Sequence, residues 1–503
     1  MRLPLLGIPF ERDEGEYAYI GWRLGHNELP YRDWVDQKPP AIFWVYRAAF
    51  ALPLEPIRSA HLASLIFSAA SSCAVLFLGR RFLSPFWAFA GAALFTLFSV
   101  DPMVLGTAAN TELFMLLPLI LSQIAFLKAA ENQRRIGWML LSGALSGLAI
   151  AFKQVATVNW LLLIALYPIF ATPERRWRRT CLFAACFTAG LLAVAAVFAF
   201  YFWIHAGFGQ LIANGFAHNV EYVHGLTWSA RLKFCLRTFP LLARTETLLW
   251  IMAAVGFAAL AGKGKWFALQ AGWLVTSLIA VSASGYFFQH YFQQLLPPLT
   301  LAAVFGAQWL SGLRLWRKTS ILPSFLCLLL ALLPLKTLWP FWFNYTPAEA
   351  VTKIYPDEFF AQMPELARRL ADITTPNQRV FIFGAEPEVL FYARRVSASR
   401  YIFLMPLYGP YRDAREKQAA AEDEIVRARP SAAAYLPGGL FFIEGSEHYF
   451  TDWSLSYLEQ NFYVDTLLIR EEPNTVHIVP ASLNAAPPKR LLGAILARKA
   501  SSQ

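Results

Sequence analysis

Apolar residues run through this chain in blocks too long for an ordinary soluble fold. Ten stand out, at about 58 to 79, 84 to 104, 110 to 128, 137 to 152, 154 to 171, 180 to 204, 246 to 262, 266 to 284, 293 to 313 and 320 to 341. Most approach the roughly 20 residues a helix needs to cross the hydrocarbon layer, so the pattern predicts a polytopic α-helical membrane protein. After about residue 344 the pattern changes: TPAEAVTKIYPDEFFAQMPELARRLADITTPNQ mixes charge, Pro and short apolar positions. VFIFG at 380 to 384 reads as a buried strand entering a turn, EPEVLFYARR at 386 to 395 as a helix, AAAYLPGGLFFI and YVDTLLI as strands, and 413 to 429 as a further helix. This alternation predicts a small soluble α/β domain over 345–485, joined to a transmembrane domain over 1–344. The remainder, 486–503, reads as a basic tail, frayed or resting on lipid headgroups.

The polar connectors set the orientation. Cations cluster in alternate ones, at Arg80-Arg81, at Lys128 with Arg134-Arg135, in ERRWRR at 174 to 179, in GKGK at 262 to 265 and in RLWRK at 314 to 318. These ends face the cytoplasm by the positive-inside rule. The opening loop, the turn near Asn110, the segment from about 205 to 245 and everything after about 344 then face outward. The 205 to 245 segment holds Arg231, Lys233, Arg237 and Arg244 on the wrong side for that rule, so those cations need another cause. The opening MRLPLLGIPFER is neither a spanning helix nor a signal peptide, and an even number of spans leaves both ends outside. A further spanning helix encoded upstream is therefore expected.

Composition agrees with the pattern: 57% of the 503 residues are hydrophobic and 15% are charged, where soluble proteins carry about a quarter. The net charge of +11 sits at membrane edges, so it gives no reason to invoke nucleic acid. Five cysteines with no CxxC pair suggest neither a disulfide framework nor a zinc site. No GxGxxG or Walker loop assigns a nucleotide to the soluble domain.

The candidate chemistry lies in the outward loops. RDEGEYAYIGWRLGHNELPYRDWVDQKPP, residues 12 to 40, places Asp13, Glu14 and Glu16 within four positions, then Tyr17, Tyr19 and Trp22, which suit a helix at the interface. Asp33 and Asp36 follow, and Lys38-Pro39-Pro40 stiffens the return to the membrane, so the lysine is held at a fixed depth. Asn110 and Glu112 open the next outward turn, where a helix cap and a favourable helix-dipole carboxylate are the plain alternative. Lys153 with Gln154, and His290 with Tyr291, mark two further outward junctions, which snorkelling or an interfacial histidine would also explain. All of these clusters fall on one face of the membrane.

In that order, RDEGEYAY, PYRD, DQKPP at 36 to 40, ANTE at 109 to 112 and HYFQQLLPP at 290 to 298 resemble bacterial glycosyltransferase family 39, membrane glycosyltransferases of the C superfamily similar to the protein O-mannosyltransferases and the lipid A aminoarabinose transferase. The likeness covers residues 11 to about 345 and is less specific beyond. It implies a sugar donor on a polyprenyl phosphate, a lipid, glycan or protein acceptor, and inverting transfer to an acceptor hydroxyl at the outer face of the bacterial inner membrane, with the soluble domain extracytoplasmic. It also implies a spanning helix ahead of the acidic loop. Carried onto this chain, the catalytic acids are Asp13, Glu14 and Glu112. The KPP lysine is Lys38 and the phosphate-proximal position falls on His290 and Tyr291. Beside the resemblance, Arg231 or Lys233 of the basic outer loop would assist at the donor phosphate, and Glu16, Asp36, Asn110 and Lys153, at the same membrane face, would line the acceptor and sugar pocket. The His290-Tyr291 pair stands where relatives often carry a more basic one. A divalent cation between Asp13 and Glu112 is compatible with the two carboxylates, though no ligand set requires one and no other cofactor is implied. An O-antigen-type ligase or polymerase is the nearest alternative. A lipid-linked sugar flippase would place its ionisable residues at mid-membrane, and a scaffold would not need the carboxylate-lysine loop.

Overall fold

The computed structural model describes residues 2–131, 135–171, 176–313, 321–440, 448–472, 475–481 and 491–499. The chain enters at Glu11, whose carboxylate accepts the Asp13 and Glu14 amides while Glu14 reaches back to the Glu11 amide. This reciprocal cap fixes the start of α1 (Arg12–Leu24), and α2 (Ala41–Ala49) follows the Lys-Pro-Pro turn.

Every one of the ten apolar blocks falls on a helix. They are α3 (Pro56–Gly79), α4 (Pro85–Phe98), α5 (Thr111–Glu131), α6 (Arg135–Phe152), α7 (Thr157–Phe170) and α8 (Arg176–Ile204), then, after α9 (Phe208–Ile212), α10 (His218–His224) and α11 (Trp228–Thr245), the helices α12 (Thr247–Leu260), α13 (Lys265–Ser282), α14 (Leu296–Gly312) and α15 (Ile321–Phe343). By length and apolarity α3, α5 and α8 are each able to cross a bilayer alone. α4 stops at Phe98 rather than near 104, because the Asp101 carboxylate takes the Met103 amide and winds Pro102–Val104 into a short 3-10 turn. The cationic positions 134, 175, 314, 317 and 318 lie outside the described residues.

The C-terminal part opens with α16 (Pro347–Ile354) and α17 (Met363–Asp372) and continues as β1 (Arg379–Gly384), α18 (Pro387–Ala393), β2 (Val396–Ser397), α19 (Ala414–Ala428), β3 (Ala432–Leu436), α20 (Tyr449–Asn461), β4 (Phe462–Glu472), β5 (Thr475–Pro480) and β6 (Leu491–Arg498). The six strands form one mixed sheet in the order β2-β1-β3-β6-β4-β5, parallel across β2-β1-β3 and antiparallel from β3 onward. One expectation is corrected here. Leu491–Arg498, read above as part of a basic tail, is the strand β6 that joins the parallel and antiparallel halves. Its apolar run LLGAILA supplies buried positions, Ile495 among them, which a frayed end would leave in water.

The two parts meet across α1. Arg12 pairs with Glu358 at 3.0 Å and Glu386 at 3.2 Å, and its Nε donates to the Ala385 carbonyl at 2.8 Å. The Ser397 amide of β2 donates to the Tyr19 hydroxyl at 3.0 Å. Gly15 lets α1 lie against α18, since a Cβ there would stand 2.5 Å from Glu388 Cβ. The acidic loop is thus held between the membrane bundle and the soluble domain.

Candidate active site

Lys38 is positioned from its backbone outward. Asp36 Oδ1 accepts the Lys38 amide at 2.7 Å, the Tyr31 hydroxyl donates to the Lys38 carbonyl at 2.6 Å, and Pro39-Pro40 lead into α2. From this fixed base the ammonium reaches Asp13 Oδ2 at 3.1 Å and the Tyr17 hydroxyl at 3.0 Å, both on one face of α1. The Gln37 carbonyl beside it accepts Asn219 Nδ2 at 2.7 Å and Gln154 Nε2 at 3.3 Å, so α10 and the end of the α6–α7 connection also grip the turn.

A second group faces the first. Glu112, in the first turn of α5, is paired with Lys153, accepts the Thr111 hydroxyl at 2.9 Å and stands 3.7 Å from His290 Nε2. The Lys153 ammonium lies 3.7 Å from the centre of the Tyr291 ring, a cation–π contact. His290 Nδ1 and both amide atoms of Asn110 are buried with no hydrogen-bond partner among the described residues. Buried polar groups left this way cost of order 1–3 kcal/mol, so they suit a site that a ligand completes.

Electrostatics separate the acids of the loop. Burial pushes the Asp13 carboxyl up, but the attraction of Lys38 outweighs it and holds Asp13 below its ordinary value. Burial, reinforced by Asp36, pushes Glu16 well above the carboxylate range. Burial also lifts Asp36 to about 7 in spite of Lys38. At neutral pH Asp13 is therefore ionised, while Glu16 is pushed toward its neutral form. Burial lowers His290, so its ring is neutral, and the standing positive charges are Lys38 and Lys153 rather than the histidine.

Three sequence-predicted residues take other places. Glu14 is turned away from Lys38: its Oε1 accepts the Ala109 amide at 2.6 Å and His61 Nε2 at 2.9 Å. His61 Nδ1 faces the Leu6 carbonyl at 3.0 Å, an arrangement that suits a doubly protonated ring. Glu14 so ties the acidic loop to α3 and to the turn before Asn110 and Glu112. Arg231 spends its guanidinium on the carbonyls of Val223, Leu226 and Ala283. Lys233 is exposed on α11, and no contact joins it to the Lys38 group. Sequence reasoning missed Tyr17 as a partner of Lys38, and missed His61, Asn219 and the hold of Gln154 on Gln37. The signal for His61 was an ionisable residue within an apolar block.

Removing Glu14 should loosen this clamp. Glu14→Ala leaves His61 and the Ala109 amide buried and unpaired, and is expected to cost about 3 kcal/mol or more of stability. Glu14→Gln keeps an acceptor for Ala109 and should cost less. Thermal unfolding in detergent reads both. Unchanged stability in Glu14→Ala together with lost turnover would instead return Glu14 to the chemistry.

Among the described residues no group of three or more His, Cys, Asp or Glu side chains is placed to hold a metal ion. Asp13 and Glu112 each already carry a lysine ammonium, which is not the donor set of a metal pair.

With that geometry in view, the profile of the family described as dolichyl-phosphate-mannose-protein mannosyltransferase matches residues 37–203. In fold the chain is similar to ArnT from Cupriavidus metallidurans bound to undecaprenyl phosphate, with a TM-score of 0.61 and 16% identity over 99% of this chain and 96% of that one. The apo state of the same protein gives 0.58 and 16%, over 96% of each chain. The oligosaccharyltransferase of Archaeoglobus fulgidus in complex with Zn and sulfate gives 0.52 and 12%, over 95% of this chain and 70% of that one. At these identities the likeness is one of fold, and it agrees with the resemblance drawn from the motifs. No curated protein matches in sequence.

Proposed function

We propose that the protein transfers a sugar from a polyprenyl phosphate to an acceptor hydroxyl at the outer face of the bacterial inner membrane. The observation that carries this reading is the Asp13–Lys38 pair, an ionised carboxylate and a rigidly held ammonium 3.1 Å apart. The undecaprenyl phosphate bound to the similarly folded ArnT supports a lipid phosphate as the donor's carrier.

The reaction needs a base for the acceptor proton and a cation for the departing phosphate. In the free site Asp13 and Lys38 neutralise one another. A donor phosphate entering beside Lys38 draws the ammonium to itself, and Asp13, losing its partner, gains basicity as the substrate arrives. The acceptor oxygen then forms a bond to the anomeric carbon, the carbon–oxygen bond to the lipid phosphate breaks, and the acceptor proton moves to Asp13. Lys38, fixed by Asp36 and Tyr31, meets the phosphate charge both before and after departure. Lys153 and Glu112, with Asn110 and the neutral His290, form the opposite wall, where unpartnered polar atoms suit sugar hydroxyls or phosphate oxygens.

Glu112, the carboxylate of the opposite wall, is held by Lys153, so the acceptor oxygen displaces the lipid phosphate directly and inverts the anomeric carbon. Purified protein given a polyprenyl-phosphate sugar of known configuration should yield product of the opposite configuration, read by NMR. Retention would call for a glycosyl-enzyme intermediate and overturn the assignment of Asp13.

A further inference from the structure

The four outward cations of the 205 to 245 segment find their cause in α11. This helix meets the axis of Thr247–Lys263 at 87°, so a crossing of the bilayer along α12 would lay α11 flat on its surface. Its residues divide into three strips. Trp228, Leu232, Leu236 and Phe239 recur at i, i+4, i+8 and i+11, all exposed, Trp228 by 85%. Lys233, Arg237 and Arg244 form an exposed strip about a third of a turn further round. Arg231 faces the protein and pins the helix by the three carbonyls it caps, one of them on Ala283.

We propose that α11 is an interfacial helix seated in the outer leaflet of an anionic bilayer, with the Trp228–Phe239 strip among the acyl chains and Lys233, Arg237 and Arg244 on lipid phosphates. An apolar strip beside a cationic one, on a helix perpendicular to a spanning neighbour, fits that surface. The charge identifies the occupant: three exposed cations side by side favour anionic over zwitterionic lipid by about fivefold per charge, were each to act fully. The same anchor reaches the site, because Arg231 also packs on Gly285, whose φ is +80° and where a Cβ would meet Arg231 Cγ at 2.5 Å. Gly285 precedes the turn that carries His290.

The test uses the full chain in vesicles of phosphatidylcholine with or without phosphatidylglycerol, with the five native cysteines replaced. A fluorophore on Leu236→Cys should be quenched by lipids brominated on the acyl chain and be insensitive to aqueous iodide. Quenching by iodide alone, or protection from both quenchers as a covering protein would give, overturns the seating. Separately, the Lys233→Gln, Arg237→Gln, Arg244→Gln triple variant should lose at least about tenfold of its preference for phosphatidylglycerol, measured by energy transfer to labelled lipid. An unchanged preference overturns the assignment of these cations, whatever the depth result.

Discussion

Asp13→Asn is expected to lower turnover about 10²-fold or more while leaving donor binding nearly intact. The amide is close in shape to the carboxylate and can still accept from Lys38, so the turn that carries Lys38 stays in place. It cannot take a proton from an acceptor hydroxyl. The charge removed is the one that competes with the donor phosphate for Lys38, so donor affinity should hold or rise, and the loss falls on the transition state alone. Steady-state kinetics beside a direct donor-binding measurement separate the two. Wild-type turnover in folded Asp13→Asn would move the base elsewhere. Glu112 would be next, though it already holds Lys153 and stands 3.7 Å from His290.

Lys38→Ala should behave differently. Its ammonium meets the lipid phosphate in the bound donor as well as in the departing product, so binding and departure should weaken together. A hydrogen bond to a charged group contributes about 1.5–3 kcal/mol, which corresponds to a loss in kcat/KM of about 10- to 150-fold. Lys38→Arg should recover part of this, since a planar fork does not reproduce a compact ammonium that touches Asp13 and Tyr17 at once. The variant also carries a pH signature. Lys38 is the largest attraction holding Asp13 below its ordinary value, so without it burial prevails and the Asp13 pKa rises. The base is active when deprotonated, and the acidic limb of kcat/KM must therefore move to higher pH in Lys38→Ala. A limb that stays in place would mean that Asp13 is not the group titrating.

Much of this was legible in the sequence because the bilayer imposes it. A spanning helix must be apolar for most of its length, and all ten blocks became helices. Asp13, Lys38, Glu112, Lys153, His290 and Tyr291 were legible as chemistry out of place at one membrane face, and the fold brings them into two facing groups. What stayed hidden depends on contacts far apart along the chain. Glu14 looked like a partner of Asp13 until the fold set it against Ala109, 95 positions away, and His61, 47 away. Arg231 looked free to reach a phosphate, but carbonyls at a helix junction hold it. β6 was read as a tail because basic residues flank it, although its apolar run is what a sheet interior needs. α11 escaped notice because its polar and apolar residues alternate at helical spacing while Pro240 interrupts the run.

The central claim is that this protein breaks the bond between a sugar and a lipid phosphate rather than carrying the intact lipid across the membrane. The measurement is made in sealed vesicles holding the purified protein and a polyprenyl-phosphate sugar labelled in both sugar and lipid, with a panel of lipid, glycan and peptide acceptors supplied on the outer side. The account predicts free polyprenyl phosphate appearing in equal amount with glycosylated acceptor, and loss of both in Asp13→Asn. Intact labelled donor moving between leaflets with no polyprenyl phosphate released, at the same rate in Asp13→Asn, would contradict it.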